Sequence, residues 1–427
     1  MRRRSRVALL SIGITALIGG TARADDAPAP APAPSGNPPT DMTVLQPRAT
    51  EFTPGAMPSF GTAPYRPLMG LLHQTGIGQG LDNARINVFG WVEASYEYNF
   101  DRPAQDLNLG RVFDLQDNRV QVNQIDLSVE RRVDLHSGQF DVGGRIDLLY
   151  GTDAQFIHSN GLFDSSDFFS GPEYQFDIPQ LYVDFGVPVG SGLQIRAGKF
   201  LFFKQIDPNA SVFYTHSFIF GAALPFTNTG ITAKYQFNPN CSFEGGISRG
   251  WDQSVDDNNG AIDALGRFRY SLGKTTDISV AAICGPELDN DNSHYRTTVD
   301  VAVTHQCGDR LTLLGDGVYG YQAMPSGQSA AMWYGIAGYG VYQLNDYLSA
   351  GLRGEWYRDE QGLTTGVNQT LYEATAGVTI TPFPNNAVGQ YFKIRPEIRY
   401  DYSTADYFDG GTRHDQTTVA IDAIFNF

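Results

Sequence analysis

The chain has 427 residues, of which 18% are charged, and its formal net charge is −16 at pH 7. An acidic chain lacks the clustered lysine and arginine that neutralise phosphates, which argues against nucleic-acid binding. Its three cysteines, Cys241, Cys284 and Cys307, have no close spacing, so neither a disulfide framework nor a zinc site is predicted.

Residues 1–24 have the features of a secretory signal peptide. Four arginines within the first six residues precede an apolar run over residues 7–20, and Ala22-Arg23-Ala24 gives the small-x-small cleavage pattern. The apolar run is too short for a stable transmembrane helix, so a membrane anchor is the weaker alternative. We therefore expect an exported protein.

Residues 25–84 form the predicted leader of the exported chain. Residues 25–65 are dominated by proline and alanine, which leave too little apolar surface for a core and predict an extended linker. Residues 66–84 could form one short helix around Leu68–Leu72 that docks in or below the next domain. We place this leader in the periplasm and the start of the main domain at residue 85.

From residue 86 onward, apolar and polar residues alternate, which predicts β-strands with one apolar and one polar face. Residues 392–402 are the clearest case, since Phe392, Ile394 and Ile398 oppose Lys393 and Glu397. Sixteen strands are predicted, near 86–98, 118–131, 139–150, 180–187, 193–203, 229–237, 241–251, 261–271, 278–284, 295–303, 311–321, 331–343, 348–357, 371–381, 392–402 and 413–427.

The lengths of the connections distinguish a soluble β-sandwich from a membrane barrel. Short turns such as 134–138 and 238–240 alternate with long segments such as 151–179, 204–228 and 285–294. Outer-membrane barrels show this alternation, whereas Greek-key sandwiches have no reason to. The sequence therefore predicts an all-β fold, a transmembrane antiparallel up-and-down β-barrel of about 16 strands over residues 85–427, with both ends of the barrel domain on the periplasmic side.

Several stretches resemble the putative β-barrel porin-2 family of bacterial outer-membrane proteins. They are GWVEASYEYNF (90–100), NQIDLSVER (123–131), FDVGGRIDLLYGTDAQF (140–156), QLYVDFGVP (180–188) and AGKF (197–200). AGKF also recurs in other large porin families. The resemblance covers roughly residues 85–427 and implies an outer-membrane pore of unassigned substrate. It supplies no binding residues.

Polar side chains of a membrane barrel face its lumen, and a barrel of about 16 strands is wide enough for an aqueous channel. The predicted pore-lining residues are Glu93, Glu97, Asp126, Glu130, Arg145, Asp147, Asp184, Arg196, Lys234, Arg267, Arg269, Arg353, Glu355, Lys393, Arg395, Glu397 and Arg399. Further carboxylates on this face are Asp141, Glu244, Asp263, Asp300, Asp316, Glu373, Asp401 and Asp422. The acid excess favours a mild cation preference, although these charges could instead pair across strands.

Two long segments are candidates for a constriction of the pore. Segment 151–179 carries Asp153, Asp164, Asp167 and Glu173 but no lysine or arginine, so folding inward would create an acidic eyelet. The alternative is a solvated external loop. Segment 204–228 is unusually apolar for an exposed loop, which predicts packing inside the barrel or against a neighbouring subunit. An amphipathic strand extension is its alternative.

Enzymatic and metal-dependent functions are less favoured. His216-Ser217 pairs a base with a nucleophile, but adjacent residues on a strand point to opposite faces, and no third group is indicated. We therefore expect no enzyme. Segments 252–260 and 287–294 concentrate oxygen ligands suited to Ca²⁺, with solvated turns as the default. No metal site and no cofactor are expected.

We predict a porin for passive diffusion of small hydrophilic solutes, with a plugged outer-membrane barrel serving as adhesin or structural surface protein as the alternative. The expected partners are outer-membrane lipid, the barrel-assembly machinery, small solutes or ions, and two further copies in a homotrimer. Phe427 closes an alternating strand and resembles the recognition signal of the assembly machinery. Pairing of the last strand with the first would abolish both sheet edges.

Overall fold

The alternating segments fold as antiparallel strands of one sheet, in a computed structural model that describes residues 67–164 and 172–427. The sheet closes on itself because the first strand pairs with both the second and the last. The signal peptide, residues 25–66 of the leader and Asp167 lie outside the described residues.

The strands are β1 (Ile86–Asn99), β2 (Val120–Arg131), β3 (Asp141–Gly151), β4 (Gln175–Asp177), β5 (Leu181–Val187), β6 (Leu193–Phe200), β7 (Asn228–Asn238), β8 (Cys241–Ser248), β9 (Asp263–Leu272), β10 (Thr276–Leu288), β11 (Asp291–Cys307), β12 (Leu311–Gln322), β13 (Ala331–Asn345), β14 (Leu348–Asp359), β15 (Gln369–Ile380), β16 (Phe392–Ser403) and β17 (Asp415–Asn426). Strands β4 and β5 lie end to end beside β3, so the 17 segments occupy 16 positions around the barrel. The predicted fold class is confirmed.

Two segments predicted as loops differ most from the prediction. β4 lies within the predicted loop 151–179, because three residues are too few to show alternation. Segment 285–294 is not a loop, since β10 and β11 extend to a tight turn at Asp289-Asn290, where Asn290 has φ 57°. Asparagine tolerates this left-handed conformation better than most residues.

The described residues contain five short α-helices: α1 (Pro67–Gln74), α2 (Ile77–Asn83), α3 (Ala154–Ile157), α4 (Phe218–Ala222) and α5 (Phe408–Gly411). Two 3₁₀ turns lie at Pro208–Ala210 and Gly389–Tyr391. None of the described helices is long and apolar enough to cross a bilayer. Where one helix is predicted near Leu68–Leu72, the structure has two, joined through Gly76 at φ 80°.

The two faces of the sheet differ in polarity. Outward side chains such as Tyr96, Ile125 and Leu352 are exposed and apolar, whereas inward ones such as Glu93 and Asp126 are buried and charged. A soluble β-sandwich would place its apolar face inward, so this polarity is that of a barrel surrounded by lipid.

Residues 201–227, which connect β6 to β7, fold into the barrel; we call them the inner segment. Its buried apolar side chains are Leu201, Phe202, Phe203, Ile206, Val212, Phe213, Tyr214, Phe218, Ile219, Phe220, Ala222, Ala223, Leu224 and Phe226. The apolar character of 204–228 thus reflects packing within the barrel rather than exposure on its surface.

Candidate functional site: the barrel lumen

Two inward-facing carboxylates hold the backbone of the inner segment. Glu397 on β16 accepts hydrogen bonds from the Tyr214 N–H at 2.8 Å and the Thr215 N–H at 3.1 Å. Glu355 on β14 accepts from the Phe218 N–H at 2.6 Å and the Ile219 N–H at 2.5 Å, at the start of α4. Backbone donors buried within the barrel are thereby satisfied by charged acceptors.

Basic side chains of β14 and β16 satisfy the carbonyl groups of the same segment. Arg353 donates to the Thr215 carbonyl at 2.7 Å, and Arg399 donates to the His216 carbonyl. Arg395 donates to the Pro208 and Ser211 carbonyls at 2.9 and 2.8 Å. Further along β16, Lys393 donates to the Asn209 side chain at 2.9 Å. The inner segment is therefore bonded to one side of the barrel wall.

The same wall is crosslinked by buried ion pairs. Arg395 lies 2.5 Å from Asp422 and 3.3 Å from Glu93, while Arg353 lies 2.8 Å from Glu373. Burial of these charges carries a desolvation penalty, which the attraction between the ions and their hydrogen bonds offsets. Many of the predicted pore-lining side chains therefore form ion pairs with each other.

A second connection, residues 100–119, also enters the barrel from β1. Its Arg111 is fully buried and lies 2.6 Å from Asp401, 2.6 Å from Asp114 and 3.3 Å from Glu97. Sequence reasoning missed Arg111 and Asp114, although the apolar neighbours of Arg111, Leu109 and Val112, were an available signal.

Aromatic rings fill the space between these two connections. Phe113 contacts Phe220 and Phe226 at centroid distances of 5.6 Å, and His216 lies 3.8 Å from Phe220. The pKa of His216 is held well below its usual range by burial and by Arg353, Arg395 and Arg399. A neutral imidazole therefore packs beside these arginines as one more aromatic ring.

Lys204 lies near the start of the inner segment and is 1% exposed. Its ammonium nitrogen lies 3.5 Å from the centroid of Phe226, and within the described residues it has no hydrogen-bond partner. Burial lowers the pKa of Lys204 well below its usual value, against the opposing charge of Asp252. The aromatic ring supplies part of the stabilisation that water would otherwise provide.

The part of the barrel formed by β9–β12, which β13 separates from β14, is different. Both carboxylate oxygens of Asp316, Oδ1 of Asp300, and Nε and Nη2 of Arg267 have no hydrogen-bond partner among the described residues. The inward hydroxyls of Ser279 and Thr298 also have no hydrogen-bond partner among the residues that the structure describes. Charged groups removed from protein partners require hydration.

The remaining predicted pore-lining residues lie on β2–β9. Arg145 donates to Asp147 at 2.6 Å and lies 3.9 Å from Glu130. Arg196 lies 2.9 Å from Asp184. In register, Asp126 faces Trp91, Lys234 faces Glu244, and Arg269 faces Ser242.

The acidic residues of segment 151–179 are dispersed. Asp153 is buried and accepts hydrogen bonds from the side chains of Asn123 and Gln124 at 3.2 and 2.8 Å. Asp164 is exposed, and Glu173 lies 3.2 Å from Arg119. Asp167 lies outside the described residues.

Ser217 and segment 252–260, which the sequence offered for catalysis and Ca²⁺ binding, make structural hydrogen bonds in the fold. The Ser217 hydroxyl accepts from the Phe220 N–H at 3.0 Å and caps α4. Asn258 and Asn259 donate to the carbonyls of Glu287 and Pro286, which ties segment 252–260 to the β10–β11 turn. Within residues 67–164 and 172–427, no group of three or more His, Cys, Asp or Glu side chains is placed to hold a metal ion.

A closed barrel of 16 strand positions, with an apolar exterior and a charged interior, is the architecture of a porin. A family model covers residues 85–427, nearly all of the described part of the chain. The chain belongs to the putative beta-barrel porin-2, OmpL-like family. Membership of this family makes it an outer-membrane channel protein.

Solved porin structures share the fold of this porin. The DcaP channel of Acinetobacter baumannii matches with a TM-score of 0.52 and 13% identity, covering 80% of this chain and 97% of that one. An anion-selective porin from Comamonas acidovorans matches with a TM-score of 0.53 and 11% identity, covering 80% and 99%. Pseudomonas putida OprB gives 0.53 and 12%, covering 83% and 97%. No curated protein matches the sequence.

Proposed function

We propose that this porin lets small hydrophilic solutes diffuse through an eccentric, water-filled path along β9–β12, with a mild preference for cations. This proposal rests mainly on a difference between the wall formed by β14 and β16 and the wall formed by β9–β12. The inner segment bonds to β14 and β16, whereas Arg267, Asp300 and Asp316 keep polar atoms without a partner among the described residues. Bound water would satisfy these buried groups, and a water-filled lumen is the path that a porin offers to solutes.

The cation preference is supported by the carboxylate pair Asp300 and Asp316. Carboxylates without a basic partner raise the local cation concentration in a narrow lumen. Many other acids of the wall are neutralised, such as Asp422 by Arg395 and Glu373 by Arg353. Selectivity therefore depends on the few charges that remain rather than on the total.

Planar-bilayer recordings with purified protein test both parts of this proposal. We expect discrete conductance steps and, under a tenfold KCl gradient, a reversal potential on the cation side. Asp316→Asn should shift that potential toward zero, while Asp346→Asn, in an exposed turn, should leave it unchanged. Folded protein without conductance would favour the plugged-barrel alternative.

We also propose that the leader, residues 25–84, lies in the periplasm, that the protein assembles as a homotrimer, and that the assembly machinery recognises Phe427. Deleting Phe427 should reduce the amount of folded protein in the outer membrane. Normal levels would contradict this role.

We propose no enzymatic activity, since the Ser217 hydroxyl is occupied as a helix cap. Lipid hydrolysis by the wild type that is lost in Ser217→Ala would overturn this.

A further inference from the structure

Helices α1 and α2 form a hairpin beside β1, at the end of the barrel where β1 begins and β17 finishes. Met69 of α1 is buried, and its sulfur accepts a hydrogen bond from the Val88 N–H at 3.5 Å. Just after α2, the Ala84 carbonyl accepts a hydrogen bond from the Arg131 side chain at 3.1 Å. Both helices of the hairpin are therefore fixed to the barrel wall.

The hairpin covers the part of β1 that does not pair with β17. The pairing of these two strands finishes with the hydrogen bonds between Gly90 and Phe427. The N–H groups of Val88 and Gly90 point to the same side of β1, because antiparallel pairing alternates along a strand. Without α1, the Val88 N–H would belong to an open sheet edge, which membrane barrels do not leave to lipid.

The contact with Val88 lies at one boundary of the lipid-facing band. At the other boundary, the hydroxyl of Tyr98, which faces outward on β1, accepts hydrogen bonds from Arg102 at 3.2 Å. The ten residues from Val88 to Tyr98 span about 25 Å along the membrane normal, at about 3.3 Å per residue and a tilt of about 40°. Because the apolar band of a membrane barrel is about 25 Å tall, the hairpin lies at the level of the phospholipid headgroups.

The exposed side of the hairpin is apolar and uncharged. Leu71 and Ile77 are 57% and 58% exposed, although both are large aliphatic side chains. Residues 67–81 contain no Asp, Glu, Lys or Arg, and the carboxylate of Asp82 lies 2.9 Å from His73. An interfacial helix buries such a surface about 5–10 Å into the boundary between headgroups and acyl chains.

A second segment of the same character lies on the other side of β17. Residues 381–391, between β15 and β16, contain no charged residue, and Phe383 and Val388 are 56% and 49% exposed. Their 3₁₀ turn contacts β17. Between this segment and the hairpin lie Phe425 and Phe427, whose rings are 6.4 Å apart. The exposed apolar side chains of both segments therefore adjoin the side of the sheet that faces lipid.

We propose that the α1–α2 hairpin is an interfacial anchor, which inserts Leu71 and Ile77 into the phospholipid leaflet on the periplasmic side of the outer membrane. Lipid fits this surface because the hairpin lies at headgroup level, exposes aliphatic side chains without charge, and adjoins the lipid-facing side of β1 and β17. The leader then joins the barrel at the membrane surface rather than in free solution. The anchor does not depend on conductance through the barrel.

Spin-label accessibility tests the anchor with purified protein in liposomes of phosphatidylethanolamine and phosphatidylglycerol. A nitroxide is attached at Leu71→Cys or Ile77→Cys after the three native cysteines are replaced by serine. Oxygen is enriched among acyl chains and a nickel chelate in water, so the ratio of their collision rates with the nitroxide reports its surroundings. Leu352→Cys is the lipid-facing reference, and Ser137→Cys, in an exposed turn, is the aqueous one. Gln79→Cys is the matched control on α2, since it lies about 200° around the helix from Ile77.

We expect the oxygen-to-nickel ratio at positions 71 and 77 to be about threefold or more above that at positions 79 and 137, and to approach that at position 352. Leu71→Asp should lower the ratio of the label at position 77 about twofold, because a carboxylate opposes insertion. Gln79→Asp adds the same charge on the other side of α2 and should leave that ratio unchanged. Heat-modifiable mobility identifies the variants whose barrel is folded.

Three results would overturn the anchor. Ratios at positions 71 and 77 equal to that at position 137 would mean that the hairpin faces water. Low collision rates with both reagents would mean that protein covers it, either a second copy or an earlier part of the leader. An unchanged ratio in Leu71→Asp would mean that the label itself drives insertion. Failure of the channel is distinct, because these ratios are measured without any solute flux.

Discussion

At the residue scale, Glu355 and Glu397 each accept two backbone N–H groups from the inner segment. A hydrogen bond to a charged group contributes about 1.5–3 kcal/mol, which is more than a neutral one contributes. The two carboxylates therefore act as positioning residues for the inner segment, and their charge matters as well as their shape.

Glu397→Gln should loosen the inner segment and widen the solute path. The amide keeps one oxygen acceptor but loses the negative charge that binds the Tyr214 and Thr215 N–H groups. We expect single-channel conductance to rise at least 1.5-fold, with larger current noise. The control is Glu360→Gln beyond the end of β14, and unchanged conductance in Glu397→Gln would contradict the positioning role.

Acid sensitivity is expected from His216. Its pKa in the folded protein lies well below the ordinary value of 6.5 because of burial and the nearby arginines. Only the unfolded chain takes up this proton near pH 6.5, so the stabilisation is complete above that pH and decreases as the pH falls below it. The maximum slope is about 1.4 kcal/mol per pH unit.

His216→Phe should keep the contacts with Phe113 and Phe220 while removing the titrating group. We expect the temperature of half-unfolding, read from heat-modifiable mobility, to fall less between pH 8 and pH 5 than in the wild type. Equal falls in both proteins would assign the acid sensitivity to other groups.

At the element scale, the barrel closes through β1 and β17. Gly90 and Phe427 exchange two backbone hydrogen bonds of 2.9 Å, and the register continues from Trp91 opposite Asn426. A Cβ atom on Gly90 would lie 2.0 Å from the Asp126 carbonyl oxygen and 2.9 Å from the Phe427 ring. Glycine is thus required where three strands meet.

Gly90→Ala should destabilise the closed barrel by about 1–3 kcal/mol, because the backbone must shift to remove the overlap. Gly315→Ala is the matched control, since its Cβ would meet nothing within 4 Å. The measurement is the urea concentration at which folded mobility is lost in each variant. Equal stability of the two variants would mean that the β1–β17 junction accommodates a side chain.

The strands and their polarity were predictable because alternation is a local property. The parity of Glu93, Asp126 and Glu397 follows from a period of two residues, and the structure places all three inward. The partners were not predictable, since Glu397 bonds backbone groups 182 and 183 residues away. Every carboxylate can accept a hydrogen bond from a backbone N–H group. The sequence therefore does not identify which N–H groups bond to Glu397.

At the scale of the whole molecule, two parts of the lumen wall differ in what they contact. One wall, around β14–β17, is occupied by paired charges and the inner segment, and the other carries the proposed path. This asymmetry predicts a contrast between buried and accessible lysines in the intact barrel.

Lys204 should remain unmodified by a small amine-reactive reagent, whereas Lys274 in an exposed turn should react fully. The reason is access, because the aromatic rings of the inner segment cover the Lys204 amine. Peptide mass spectrometry on membranes and on urea-unfolded protein measures both sites. Reaction of Lys204 at the rate of Lys274 in membranes would mean that the inner segment leaves the wall.

The attachment of the inner segment also has a consequence for the order of folding. The segment lies near the middle of the chain, but many of the acceptors and donors that bind it lie much later, on β14 and β16. Contacts of such long sequence separation form slowly, because a large loop must close first. A newly closed barrel therefore passes through a wide-lumen stage, and conductance recorded during refolding should begin large and decrease to its final value.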